Sequence, residues 1–167
     1  MPLPRFLTRL KKTLRQRKFD IILILVWSFL LSAVVIKIHW ITYTQTKRLS
    51  YYRIPYTVYE GPTPTVIDLF IVAISGLIVG LFISDIKSMF FGYIATIFLC
   101  FVISVTYVTL YIWFVQGWGV VFGANPYDWE WAVYLATLNV FPIIFPLFAC
   151  VALITLAIGA FLQTYVR

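Results

Sequence analysis

Long apolar runs dominate this sequence, and they decide which solvent the chain can fold in. The first run, IILILVWSFLLSAVVI, covers residues 21–36 and contains no charged side chain. Of the 167 residues, 62% are hydrophobic and 11% are charged. A soluble domain is about 45–50% apolar and about 25% charged, and a chain this small has too much surface for its volume to hide the excess. The sequence therefore predicts an integral membrane protein built from α-helices.

The apolar runs predict four transmembrane helices, because a helix that crosses the hydrocarbon core needs about 20 residues. Their predicted bounds are residues 20–43, 65–84, 89–115 and 135–163. Thr65 and Asp68 stand where a cap and a first-turn acid stabilise a helix start. Pro142 and Pro146 predict a kink in the fourth helix. The predicted fold is all-α, a polytopic bundle of four transmembrane helices in one domain over residues 20–167.

The chain begins with a basic segment, residues 1–19, which is predicted to form an amphipathic helix. Its large apolar side chains share one side of a helical wheel, and most of its cations take the other side. Such a helix lies on a bilayer surface with its cations on lipid phosphates. The residues predicted to bind anionic headgroups are Arg5, Arg9, Lys11, Lys12, Arg15, Arg17 and Lys18. An Arg-rich segment without acids also fits an organellar transit peptide.

The distribution of cations predicts the orientation of the bundle. The net charge is +7, and seven of the thirteen Lys and Arg residues precede residue 19. Because this cluster adjoins an apolar span, it indicates a membrane surface as its partner rather than nucleic acid. Cytoplasmic loops carry the excess of Lys and Arg. We therefore expect both termini in the cytoplasm, in a prokaryotic plasma membrane or an organellar inner membrane.

With this orientation, tryptophan is concentrated on the outer side of the membrane. The residues concerned are Trp40, Trp113, Trp118, Trp129 and Trp131. Tryptophan normally occurs at both membrane interfaces, so this belt is one-sided. It indicates either a strongly anchored outer interface or an outward docking surface for a protein or a lipid.

The second predicted span carries small residues at helical spacing, namely Ala73, Gly76, Gly80 and Ser84. Helices in a bilayer associate where small side chains let their backbones approach. The stripe predicts a helix-packing face, whose partner is either another helix of this chain or a helix of another chain. Weaker small-residue faces occur on the fourth span, at Ala152, Thr155 and Gly159, and on the third, at Gly92, Thr96, Cys100 and Ser104.

Asn139 is the most polar side chain predicted to lie well inside the membrane. It precedes Pro142 and Pro146, and prolines free backbone carbonyl groups that need partners in lipid. One hypothesis is that Asn139 bonds such a carbonyl or a neighbouring helix. The other is that it contacts a substrate or ion beside a broken helix, as in transporters.

The ionisable residues form no recognisable catalytic arrangement in the sequence. All six acids map to span ends or loops, whereas acids deep in a membrane mark ion or proton routes. His39 is the single histidine, and common zinc or haem sites need further ligands. Cys100 and Cys150 lie within apolar runs and form no CxxC motif. We therefore predict no catalytic residue, no metal site and no cofactor.

Three classes of function fit this description. The expected function is a non-catalytic structural or accessory subunit of a larger integral membrane protein complex, with other membrane protein subunits as partners. The alternative is a small oligomeric channel or carrier, whose pore would be lined by Asn139, Thr96 and Ser104 from several copies. A membrane enzyme acting on lipid or quinone fits less well, because it would need acids or histidines clustered at one depth.

Overall fold

The protein is described here by a computed structural model, which places residues 3–49, 63–83, 85–115 and 128–166. Side chains are described over residues 16–41, 63–83, 85–115 and 129–165. Nearly all of the placed backbone is helical, and no strand occurs within these ranges. The all-α class predicted from the sequence is therefore confirmed.

The placed backbone forms five α-helical segments. They are α1, Leu3–Leu49; α2, Val66–Phe82; α3, Ile86–Leu110; α4, Asp128–Ile143; and α5, Ala149–Val166. A π-helical turn, Tyr111–Val115, continues α3, and a kinked segment, Ile144–Phe148, joins α4 to α5. α1 is one continuous helix of 47 residues, so its backbone has no break at residue 19, where the basic segment was expected to end.

Local sequence fixes where α2 begins and where the last long helix breaks. Thr65 Oγ1 accepts a hydrogen bond from the Asp68 backbone N–H at 3.3 Å, and the Asp68 carboxylate accepts one from the Thr65 N–H at 3.1 Å. This capping box confirms the predicted helix start.

Phe145 leaves the helical region, with φ −115° and ψ 137°, because proline at the next position disfavours helical backbone before it. The predicted kink is confirmed, with its break at Phe145 rather than at Pro142.

Three stretches are long and apolar enough to cross a membrane, namely Gln16–Ile41, Ile86–Val115 and Trp129–Tyr165. The chain is therefore an integral membrane protein. α2 is equally apolar but contains 17 residues. At about 1.5 Å per residue it is about 25 Å long, which is shorter than a typical hydrocarbon core of about 30 Å.

The helices pack as two close pairs, α2 with α5 and α1 with α3. Within each pair the two helices run in the same direction. Ile24 of α1 contacts Gly92 near the start of α3, and Trp40, further along α1, contacts Tyr111 just beyond the end of α3. α4 packs on α3 and joins the two pairs through its connection to α5. The buried core contains residues from every helix, among them Leu31, Val72, Val108, Val140 and Leu156.

Candidate functional site

The contact between α2 and α5 depends on glycine. A Cβ atom added at Gly80 would lie 2.9 Å from the Cα of Gly159 and would also meet the Leu156 carbonyl oxygen. A Cβ added at Gly76 would meet the Thr155 hydroxyl. Only residues without a side chain let two helix backbones approach this closely. The structure thus brings the small-residue stripe of α2 against the small-residue face of α5.

The α2–α5 contact depends on close packing, and the Thr155 hydroxyl at this contact forms no hydrogen bond to α2. The Thr155 hydroxyl donates to the Val151 carbonyl oxygen at 2.8 Å, within its own helix. Ala73, in the same stripe, is half-buried, whereas Ser84 lies outside the described residues. Between Gly76 and Gly80 the face of α2 is therefore already covered by α5.

Small polar side chains lie between α1 and α3. On α3, Thr96, Cys100 and Ser104 are each 0% exposed. On α1, Ser32 donates its hydroxyl hydrogen to the Ser28 carbonyl oxygen at 2.7 Å, and Ser32 and Ser104 flank the Cys100 thiol. The small-residue face of the third predicted span therefore packs inside the bundle, and Thr96 and Ser104 have no surface from which to line a pore between copies.

Polar side chains also join α1 to α2, at contacts that the sequence reasoning did not anticipate. Lys37 Nζ donates to Asp68 Oδ1 at 2.8 Å. The Asp68 side chain is 1% exposed and that of Lys37 is 48% exposed, so a surface cation reaches in to a buried acid. Towards the middle of the helices, Trp27 Nε1 donates to Ser75 Oγ at 3.1 Å. The signal available in the sequence was that Lys37 and Asp68 lie at the facing ends of consecutive predicted spans.

Asn139 is half-buried and makes a local hydrogen bond. Its Nδ2 donates to the Leu135 carbonyl oxygen at 2.8 Å, four residues earlier on α4. Pro142 lacks the N–H that would bond the Leu138 carbonyl, so the carbonyl that Asn139 bonds is not the one that this proline frees. The observed hydrogen bond joins Asn139 to its own helix and not to a neighbouring one.

Aromatic rings meet at the end of the bundle opposite the basic segment. Trp113 and Trp129 pack edge to face with ring centroids 5.2 Å apart, and Trp40 packs in the same way on Tyr111 at 5.4 Å. Such pairs contribute about 0.5–1.5 kcal/mol each beyond their burial. The predicted tryptophan belt thus joins α1, α3 and α4 to one another, while Trp118 lies outside the described residues.

A groove of about 380 Å³ opens on the lateral surface of the bundle, beside the break between α4 and α5. Phe141 and Phe145 form one wall, with ring centroids 5.0 Å apart. Phe98, on the opposite wall, is 65% exposed. The Tyr93 hydroxyl donates to the Ala149 carbonyl oxygen at 3.0 Å and holds α3 to the start of α5. We call this concave surface the aromatic groove; its remaining lining residues are Ile94, Ile97 and Phe101.

The residues with potential for ligand binding are spread along the bundle. Over the described ranges, no three His, Cys, Asp or Glu side chains lie close enough together to hold a metal ion. His39 is buried, with its ring 6.4 Å from that of Tyr111.

Arg17 and Lys18 of the predicted headgroup-binding set are exposed. The side chains of the other members lie outside the described residues: Arg5, Arg9, Lys11, Lys12 and Arg15.

In comparisons with known proteins, no family model matches this chain, and no curated protein or solved structure matches it either.

Proposed function

We propose that this chain is a non-catalytic structural or accessory subunit of a larger integral membrane protein complex. The observation that carries the proposal is the burial of small polar side chains inside the bundle. Thr96 and Ser104 are 0% exposed, and Asn139 bonds its own helix. A pore between copies needs polar side chains on the surfaces that meet. Copies assembled side by side would instead present largely apolar faces, which favours the accessory role over a channel or carrier.

The aromatic groove is our candidate for the contact with another subunit. The Gly76–Gly80 face is covered by α5, so a partner has to bind elsewhere. Helices in lipid associate by close packing rather than by the hydrophobic effect, and a concave wall offers a partner more contact than a convex helix surface. Aromatic side chains are also enriched among the residues that carry binding energy. We therefore place a transmembrane helix of another subunit in this groove.

We further propose that α2 crosses the membrane, which gives four spans with both termini in the cytoplasm. A helix of 17 residues can cross where the bilayer thins locally. The Lys37–Asp68 pair would mark its outer end. The basic residues 1–19 would continue α1 on the cytoplasmic side of a prokaryotic plasma membrane or an organellar inner membrane, with their cations near anionic headgroups.

Site-specific photo-crosslinking in native membranes tests the accessory role. A photoreactive phenylalanine analogue would replace Phe98 in the groove and, as a matched control, Phe29 on α1, which is 63% exposed against 65% for Phe98. We expect a discrete adduct with a different protein from position 98 and none from position 29. An adduct between two copies of this chain at position 98, or adducts with lipid alone, would contradict the proposal.

A further inference from the structure

α1 is longer than a membrane crossing requires. It runs without a break from Leu3 to Leu49, and its apolar run, residues 21–36, begins directly after Asp20. Leu3 lies 17 residues before Asp20, which at about 1.5 Å per residue places the start of α1 about 25 Å from that run. Even at a helix tilt of about 40°, the distance from the hydrocarbon core is about 20 Å. The headgroup region accounts for only about 5–8 Å of this distance.

The first part of α1 extends beyond the ends of the other described helices. Ile24 contacts Gly92, and α1 and α3 run in the same direction. Ile86, the first residue of α3, therefore lies at about the level of Lys18. α2 and α5 run in the opposite direction and end within about one turn of this level. We call residues 3–14 the N-terminal extension, and no other described helix lies beside it.

The sequence pattern of the N-terminal extension predicts an apolar face. Leu3, Leu7, Leu10 and Leu14 recur at spacings of four, three and four residues, which is the spacing of apolar positions in helices that pack on other helices. A surface helix buries such a face by sinking about 5–10 Å into the boundary between headgroups and acyl chains. A helix that continues α1 into water cannot do so. The apolar face is therefore expected to be covered by protein.

The charge of the N-terminal extension indicates the kind of protein. Its cations are Arg5, Arg9, Lys11 and Lys12, and its sequence contains no acid. A second copy of this chain would bring the same positive charge to the contact, and like charges across an interface oppose binding. Nucleic acid would pair with the cations but would leave the leucines uncovered. An acidic protein surface with an apolar floor satisfies both the cations and the leucines.

We propose that the N-terminal extension binds in a groove of another protein, with an apolar floor and with Asp and Glu on its rims. Contacts of this kind bury the apolar face of an amphipathic helix in the groove, and the acidic rims attract the cations of the helix. The contact lies outside the lipid and apart from the aromatic groove. It does not require a transmembrane partner at Phe98, so the two proposals can fail independently.

Cysteine labelling tests whether the N-terminal extension stands in water. Leu7→Cys and Ile22→Cys would be compared in the full-length protein, in nanodiscs that contain phosphatidylglycerol, with a charged maleimide. Ile22 is the control because it is 58% exposed within the apolar run, and the wild-type protein gives the background. We expect Leu7→Cys to react at least about tenfold faster, since apolar surroundings suppress the reactive thiolate. Equally slow labelling of both variants would place the extension in lipid and overturn the proposal.

Calcium-loaded calmodulin serves as the probe for binding in a groove. With calcium it presents an apolar groove to amphipathic helices, and without calcium this groove is closed. The full-length protein in nanodiscs would be titrated with calmodulin, with and without calcium. We expect one calmodulin per chain in the presence of calcium and loss of binding when calcium is removed. Failure to bind calcium-loaded calmodulin would overturn the proposal.

A matched pair of substitutions separates groove binding from attraction by charge alone. Leu7→Asp should weaken calmodulin binding about tenfold or more, the factor that corresponds to one buried leucine side chain. Thr8→Asp makes the same change in charge one residue later, outside the leucine spacing, and should weaken binding less. Both positions lie beyond the ends of the other described helices, so the bundle should fold in either variant. Equal losses would indicate binding by charge alone, as to phosphates of lipid or nucleic acid, and would overturn the proposal.

Discussion

Gly80 of α2 and Gly159 of α5 lie so close that a Cβ atom added at Gly80 would be 2.9 Å from the Gly159 Cα. The obstacles to a larger residue at Gly80 are backbone atoms, including the Leu156 carbonyl oxygen. Backbone atoms cannot move aside as a side chain can. This pair of glycines therefore fixes the distance between two helices of the same chain.

Gly80→Ala should destabilise the bundle. We expect a loss of about 1–3 kcal/mol in the free energy of unfolding, the usual cost of overpacking a well-packed contact. The measurement is thermal or denaturant unfolding of the detergent-solubilised protein. Gly92→Ala is the matched control, because a Cβ there would lie 2.8 Å from the end of the Ile24 side chain, which can rotate away. Equal losses for the two variants would contradict the account of the α2–α5 contact.

The Lys37–Asp68 ion pair should show up as an interaction energy between the two positions. Asp68→Asn should cost more stability than Lys37→Met, because Asp68 is the buried partner and also accepts from Thr65. Bonds to charged groups contribute about 1.5–3 kcal/mol. In a double-mutant cycle we expect the double variant to lose at least about 1 kcal/mol less than the sum of the single losses. Strictly additive losses would show that the pair contributes nothing.

Thr96→Val should leave stability unchanged or raise it. The Thr96 hydroxyl is buried and has no hydrogen-bond partner among the described residues, and an unpaired buried polar group costs about 1–3 kcal/mol. Ser75→Ala is the contrasting variant, since it removes the acceptor of the Trp27 indole N–H. Its expected cost is about 0.6–1.5 kcal/mol. A loss of more than about 1 kcal/mol in Thr96→Val would mean that this hydroxyl has an essential partner.

The sequence predicts where the helices of this protein lie along the chain better than it predicts which helices pack against one another. The helical class and membrane location follow from the apolar runs. The start of α2 follows from Thr65 and Asp68, and the break at Phe145 follows from the proline beside it. These features depend on residues that are close together in the chain, so a short stretch of sequence determines each of them.

Which helices pack together depends on how each helix is rotated about its own axis and on how the helices are arranged in the bundle. The periodicity of apolar or small residues in the sequence specifies neither. The spacing of Gly76 and Gly80 identifies a packing face, but it leaves open whether that face meets this chain or another. The structure places α5 there. In the same way, the sequence marks Thr96 and Ser104 both as part of a small-residue face and as candidates for a pore lining, and in the structure both side chains are fully buried.

The most direct test of the accessory role is native mass spectrometry of the tagged protein, purified in mild detergent from its own membranes. We predict a stoichiometric assembly that contains this chain together with different membrane proteins. Recovery of a monomer, or of an oligomer made only of this chain, would contradict the account.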